Sequence, residues 1–262
     1  MKNILPYVLI TIAFLGLLFL RNGNTLKYKF NLNLIQDYLR SQDIEDPGNV
    51  IKNRIFLSDS DLYIATGYLY ASGNDPTKYN FQHPPLMKYL FGFSSRLLGN
   101  PFYVQIIFGL FLLYLTYFLG LKVFRNIWPS LIGSLLLLID PVLSNMMNET
   151  LLDLGQAVFA LSYVILTFFY PGSYVLQGII LGLFAASKFW STALIFVILI
   201  FGYKFLVKDK RTKAKEVFIS FVIAFLIFSF TYIVSFIKAD GLFNIFLFQG
   251  KILKFMLSHN FA

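Results

Sequence analysis

The sequence predicts an all-α integral membrane protein whose helical spans carry one long external loop between the first and second. Three observations predict it. Apolar residues make up 57% of the 262, with 31 Phe and 16 Tyr against 13% charged residues. A soluble fold of that length would lack the polar surface to cover itself. Seven apolar runs, at about 4–20, 101–121, 127–144, 154–170, 173–187, 190–207 and 217–237, are long enough or nearly so to cross roughly 30 Å of hydrocarbon as helices. The loops between them alternate in charge.

The first run opens with Met1 and Lys2, and Leu18, Phe19, Leu20 and Arg21 offer no small-residue cleavage site. This predicts an uncleaved signal anchor rather than a removed signal peptide. A mostly polar segment from Arg21 to about Asn100 follows. Within it, Leu86 to Leu98 has apolar residues at helical spacing with Lys88 and Arg96 between them, which predicts a helix lying in the membrane interface. Pro84 and Pro85 suit its first turn. Lys122 and Arg125 separate the second and third runs, and Lys204, Lys208, Lys210, Arg211, Lys213 and Lys215 separate the sixth and seventh. Both loops are expected on the cytoplasmic side. The loop from Asp140 to Asp153 carries Asp140, Glu149 and Asp153 with no Lys or Arg, and is expected outside. The alternation closes with a cytoplasmic amino terminus and residues 21–100 external. Leu242 to Ala262 has a mixed character that suits the outer surface. No repeat or low-complexity tract divides the chain, so 1–262 is expected to be one domain.

Composition also removes several chemistries. With no Cys, disulfides, thiolate metal sites and cysteine nucleophiles are absent. The formal net charge of +9 sits largely beside apolar runs, where it orients a membrane protein and does not mark a nucleic-acid partner.

The residues with the most chemical content lie between Ser58 and Gly99. Asp59-Ser60-Asp61 has the spacing with which two carboxylates can hold a divalent metal, since hard cations prefer oxygen ligands. Either acid could instead serve as general base on a hydroxyl, or the triplet could cap a helix beginning near Leu62. His83 precedes two prolines that stiffen the return to the membrane; it could contact a phosphate, orient an acid or be merely solvated. Asp140 and Asp153 mark the outer ends of the third and fourth runs, where an ionisable residue is costly and also favours a helix start. Lys188 interrupts an apolar stretch between the fifth and sixth runs. It could snorkel to headgroups or stabilise charge on a departing phosphate.

In order and spacing, SDSDLY, HPPLMKYLFG, LLLLIDPVLS with ETLLD, and GIILGLFAASKFW resemble the protein O-mannosyltransferase family of GT-C membrane glycosyltransferases, and more loosely the lipid A aminoarabinose transferases. The resemblance runs from about Ser58 to Trp190. It implies a GT-C-like helical core that moves mannose or a related sugar from a polyprenyl or dolichyl phosphate to a protein or lipid hydroxyl on the external face. It also implies roles for individual residues. Asp59 and Asp61 match the first-loop acids, with Asp-Ser-Asp in place of the usual Asp-Glu. His83, Pro84 and Pro85 match the loop signature, Asp153 the acid of the Leu-Leu-Asp segment, and Lys188 the lysine after the fifth span. Asn148 stands where the family often has arginine, leaving Lys88 or Arg96 as the expected phosphate contact. A divalent metal remains open as a cofactor. The chain ends soon after its seventh run where the family continues, so a minimal core, a fragment or one half of a split enzyme with a second subunit is expected. The rival expectation is a non-catalytic subunit that binds lipid phosphate.

Overall fold

The structure, a computed structural model, describes residues 4–44, 54–206, 214–239 and 243–259. Those residues form fourteen helices: α1 (Leu5–Arg21), α2 (Gly23–Lys27), α3 (Asn33–Leu39), α4 (Asp59–Ala71), α5 (Leu86–Leu98), α6 (Phe102–Phe124), α7 (Ile127–Ile139), α8 (Pro141–Asn148), α9 (Asp153–Phe169), α10 (Tyr174–Ser187), α11 (Trp190–Leu206), α12 (Ala214–Phe230), α13 (Ile233–Lys238) and α14 (Ile245–His259). Each of the seven apolar runs is helical. By length and composition, Phe102–Phe124 alone is long and apolar enough to cross a membrane among the described residues. The bent pair α7 and α8 makes a second span if its two parts are taken together.

Two runs expected to be continuous are broken. The third bends by 55° between α7 and α8. Pro141 cannot continue the α7 ladder, and Asp140 instead caps α8, its carboxylate accepting from the Val142 amide at 2.7 Å. The seventh breaks at Thr231 and Tyr232, between α12 and α13. Of the basic loop before α12, Lys208, Lys210, Arg211 and Lys213 lie outside the described residues.

The described helices pack in four clusters of side chains, two of which hold the long helices together. Ile10, Phe14 and Leu18 of α1 bury against Leu113 and Tyr117 of α6 and Leu131 and Leu138 of α7. Farther along the chain, Tyr163 of α9, Leu181 and Phe184 of α10, Val197 of α11 and Ala224 of α12 share a second core. α10 and α12 cross closely because Gly178 and Gly182 present no side chain. A Cβ at either would lie 2.7 Å from the Ser220 or Ala224 carbonyl oxygen, a small-residue contact of the kind that lets helices approach in membranes. Many large apolar side chains point outward, among them Phe111, Ile198, Leu199, Phe205 and Leu226.

The segment 21–100 carries α2 to α5. α4 and α5 pack side by side in the same direction, Tyr63 beside Lys88 and Ala71 beside Arg96, with their backbones touching at Gly67 and Gly92. The α5 helix has the span expected of it, but its contacts differ from those of a helix resting in an interface. Met87, Lys88 and Phe91 are wholly buried against α4 while Phe93, Leu97 and Leu98 are exposed. The prolines also sit outside its first turn: Pro85 is the residue before the helix, and Pro84 is buried in the approach to it.

Candidate functional site

The site begins with the start of α4. Ser58 caps this helix: its hydroxyl accepts from the Asp61 amide at 3.2 Å and donates to the Asp61 carboxylate at 2.9 Å, a reciprocal arrangement typical of helix starts. Asp61 is therefore committed to the cap, on the side of the helix near Tyr28, whose phenol it helps push up after burial. Asp59 points elsewhere. Four residues before Tyr63, it shares that residue's face of the helix, lines an open cavity, and has no hydrogen-bond or ion-pair partner among the described residues. The two acids thus serve different surroundings and do not converge on one ion. Among the described residues, no group of three His, Asp or Glu side chains is placed to hold a metal.

Ser60, between them, joins the two halves of the site. Its hydroxyl meets the Thr150 hydroxyl at 2.8 Å and accepts from the Thr150 amide at 3.0 Å, while Thr150 donates to the Ser60 carbonyl at 2.9 Å. Gln105 of α6 steadies the same stretch by donating to the carbonyls of Glu149 and Leu151. Three residues beyond Thr150, Asp153 opens α9, where a carboxylate favours the helix dipole. It pairs with Lys188 at 2.6 Å, and Lys188 also approaches the Phe189 ring at 5.8 Å. Both side chains keep some exposure, 38% for Asp153 and 24% for Lys188.

His83 connects this ion pair with α4. Its ring meets Phe189 edge-on at 4.8 Å and Tyr63 at 5.9 Å. Burial first, then the charges of Lys88 and Lys188, push its imidazole down to about 3, because charging it would place a third cation in a poorly solvated space. His83 is therefore neutral at ordinary pH, and its Nδ1 is sealed without a partner. As a neutral ring it can still exchange hydrogen bonds, but it brings no charge to a phosphate.

Lys88 and Arg96 hold different positions from those the sequence suggests for a phosphate contact. Lys88 is wholly buried. Its ammonium donates to the carbonyls of Asn80 and His83 and lies over the Tyr63 and Tyr70 rings at 5.5 and 5.8 Å. Burial pushes it down to about 7, against the opposing pull of Asp43. It braces the turn that carries His83. Arg96 donates to the Ala71 carbonyl and covers the Tyr68 ring. That is the far end of α4, about 18 Å from Asp59 at 1.5 Å per residue, so the structure does not bring Arg96 to the site. Asn148 is occupied as well, its side-chain oxygen accepting from Asn22 and Thr25 at 2.7 Å each.

Sequence reasoning missed Asp43. Its carboxylate accepts from the Tyr38 hydroxyl at 2.6 Å and from the Asn80 amide and side chain at 3.1 and 2.7 Å, clamping the turn before His83. Gln42, beside it, exchanges a pair of hydrogen bonds with the Leu57 backbone and so sets the approach to α4. A lone Asp in a polar stretch gives no signal of this, since its partners lie up to 37 residues away. The resulting cavity measures about 1220 Å³ and is lined by Asp43, Asp59, Tyr63, Asn80 and His83, with Lys251 and Phe255 of α14 along another wall. Asp153 and Lys188 stand next to His83 outside that lining. The arrangement offers one free carboxylate lining the cavity, and a phenol, a neutral imidazole and a carboxylate-held ammonium linked through the Tyr63, His83 and Phe189 rings. No family model, curated protein or solved structure matches this chain.

Proposed function

We propose that the protein is a membrane glycosyltransferase that moves mannose or a related sugar from a polyprenyl or dolichyl phosphate to a protein or lipid hydroxyl on the external face. The observation that carries the proposal is that Asp59 lines the same cavity as Tyr63 and His83, whose rings lead through Phe189 to the Asp153–Lys188 pair. In this reading Asp59 takes the proton of the acceptor hydroxyl, whose oxygen bonds to the sugar C1. The bond from C1 to the phosphate oxygen breaks, and the lipid phosphate leaves with the electron pair. Lys188 stabilises the charge that develops there, and Asp153 orients Lys188. The outward apolar side chains suit a lipid surrounding. An apolar pocket of about 290 Å³, lined by Leu181, Trp190, Phe221 and Phe228, begins two residues beyond Lys188 and suits a prenyl chain. The loop charges fit a multi-pass arrangement with a cytoplasmic amino terminus.

A second reading, a non-catalytic subunit that binds lipid phosphate, is favoured by the neutralisation of Lys188 by Asp153. The test is transfer of radiolabelled sugar from mannosyl phosphopolyprenol in liposomes, to protein and lipid acceptors presented on the outside. Transfer that fails in Asp59→Asn supports the enzyme. Donor binding with no transfer to any acceptor replaces it with the second reading, and absence of both refutes the two.

A further inference from the structure

Tyr63, the last residue of SDSDLY, is central to the site, yet the sequence assigned it no role. It is only 6% exposed, lines the large cavity, meets the His83 ring in a T-shaped contact and lies beneath the Lys88 ammonium. Its hydroxyl behaves unlike those of its neighbours. Tyr38 donates to Asp43 and Tyr70 to the Tyr79 carbonyl, and the Tyr89 hydroxyl is sealed without a partner. The Tyr63 hydroxyl has no hydrogen-bond partner among the described residues and is not one of the sealed atoms. A buried ring that lines a cavity and whose hydroxyl has no protein partner is positioned to donate to a ligand there.

The surroundings select the ligand's chemistry. Asp59 on the same helix face, Asp153 across the Ser60–Thr150 junction and Asp43 across the cavity all act on this phenol and, after burial, push it up. It stays protonated and donates. Three carboxylates disfavour an anionic group at that point, whereas a neutral ring hydroxyl can accept from the phenol and donate onward to a carboxylate. Lys88, the nearby cation, is spent on backbone carbonyls, and Lys188 is paired with Asp153.

We infer that Tyr63 is the sugar-binding donor of this site, its hydroxyl hydrogen-bonding a ring hydroxyl of the glycosyl group while the lipid phosphate lies toward Lys188. The assignment rests on the glycosyl-donor reading above and adds the residue that tells a sugar-bearing lipid from a bare one.

Tyr63→Phe tests it, since phenylalanine keeps the ring contacts to His83 and Lys88 and removes the hydroxyl alone. Binding of mannosyl phosphopolyprenol, its glucosyl counterpart and sugar-free polyprenyl phosphate is measured in detergent for wild type and variant. Loss of one neutral hydrogen bond should weaken a sugar-bearing lipid by about 3- to 10-fold, leaving the bare lipid phosphate and the unfolding temperature unchanged. Wild-type protein that prefers a glycosylated lipid, with Tyr63→Phe retaining that preference in full, overturns the Tyr63 assignment alone. An equal loss for all three lipids also overturns it, by exposing a structural role. Wild-type protein that binds all three lipids alike overturns the glycosyl-donor reading, and this assignment with it.

Discussion

Replacing Gly92 with alanine should drive α4 and α5 apart. A Cβ at Gly92 falls inside the van der Waals envelope of the Gly67 carbonyl and 2.9 Å from the Tyr68 amide nitrogen. The obstructing atoms are backbone, so no rotamer change relieves them and the helices themselves must separate. Overpacking of this kind costs about 1–3 kcal/mol, offset by about 1 kcal/mol from the better helix propensity of alanine. The net loss of up to about 2 kcal/mol corresponds to a fall of up to about 8 °C in unfolding temperature for a chain of this size. Activity should suffer too, because α4 carries Asp59 and Tyr63 while α5 carries Lys88. Gly133→Ala in α7 is the control: a Cβ there meets nothing within 4 Å, so only the propensity gain operates. Thermal unfolding in detergent, followed by intrinsic fluorescence, compares the two. If Gly92→Ala melts at or above Gly133→Ala, the close crossing and the reasoning from it are wrong.

Three further outcomes follow from the site. Asp59→Asn should lower sugar transfer by about 100-fold with an unchanged unfolding temperature, whereas Asp61→Asn should keep most of the turnover and lose about 0.3–1 kcal/mol of stability at the helix start; equal effects on turnover would contradict the division of roles. Lys188→Met and Asp153→Asn, made singly and together, should be non-additive in kcat/KM by about 0.5–3 kcal/mol, with Lys188→Met lowering kcat more than donor binding. Additive losses would separate Asp153 from Lys188. The pH dependence of unfolding has a definite sign. His83 is held down to about 3 from an ordinary 6.5 and Lys88 to about 7 from 10.5, so the unfolded chain binds more protons in both windows and stability rises with pH across each. Acidification from 6.5 toward 3 should therefore destabilise the protein through His83. Raising the pH from 7 to 9 should stabilise it through Lys88, and Lys88→Met should flatten that second limb; a wild-type profile that is flat or falling above pH 7 would contradict the burial of Lys88.

The sequence by itself determined the helical character of each apolar run and the span of α5, because those properties depend on residues a few positions apart; for Asp59-Ser60-Asp61 it left a cap beside a metal pair and a general base, and the structure puts the cap one residue earlier, on Ser58. Hydropathy did not locate the breaks at Asp140–Pro141 and Thr231–Tyr232, since a sliding window averages over a single proline or turn. Only the tertiary structure decided which polar residues form a site. The Ser60–Thr150 bonds span 90 residues and the Asp153–Lys188 pair spans 35, so neither is encoded in any local pattern. The same distances explain why Asp59 and Asp61, alike in sequence, face different neighbours, and why Lys88 and Arg96, spaced as two exposed cations, became a buried brace and a remote cap. Gly67 and Gly92 show the limit most clearly. Each looks like an ordinary glycine in a helix, and it is the approach of the opposite backbone that makes both positions intolerant of a side chain.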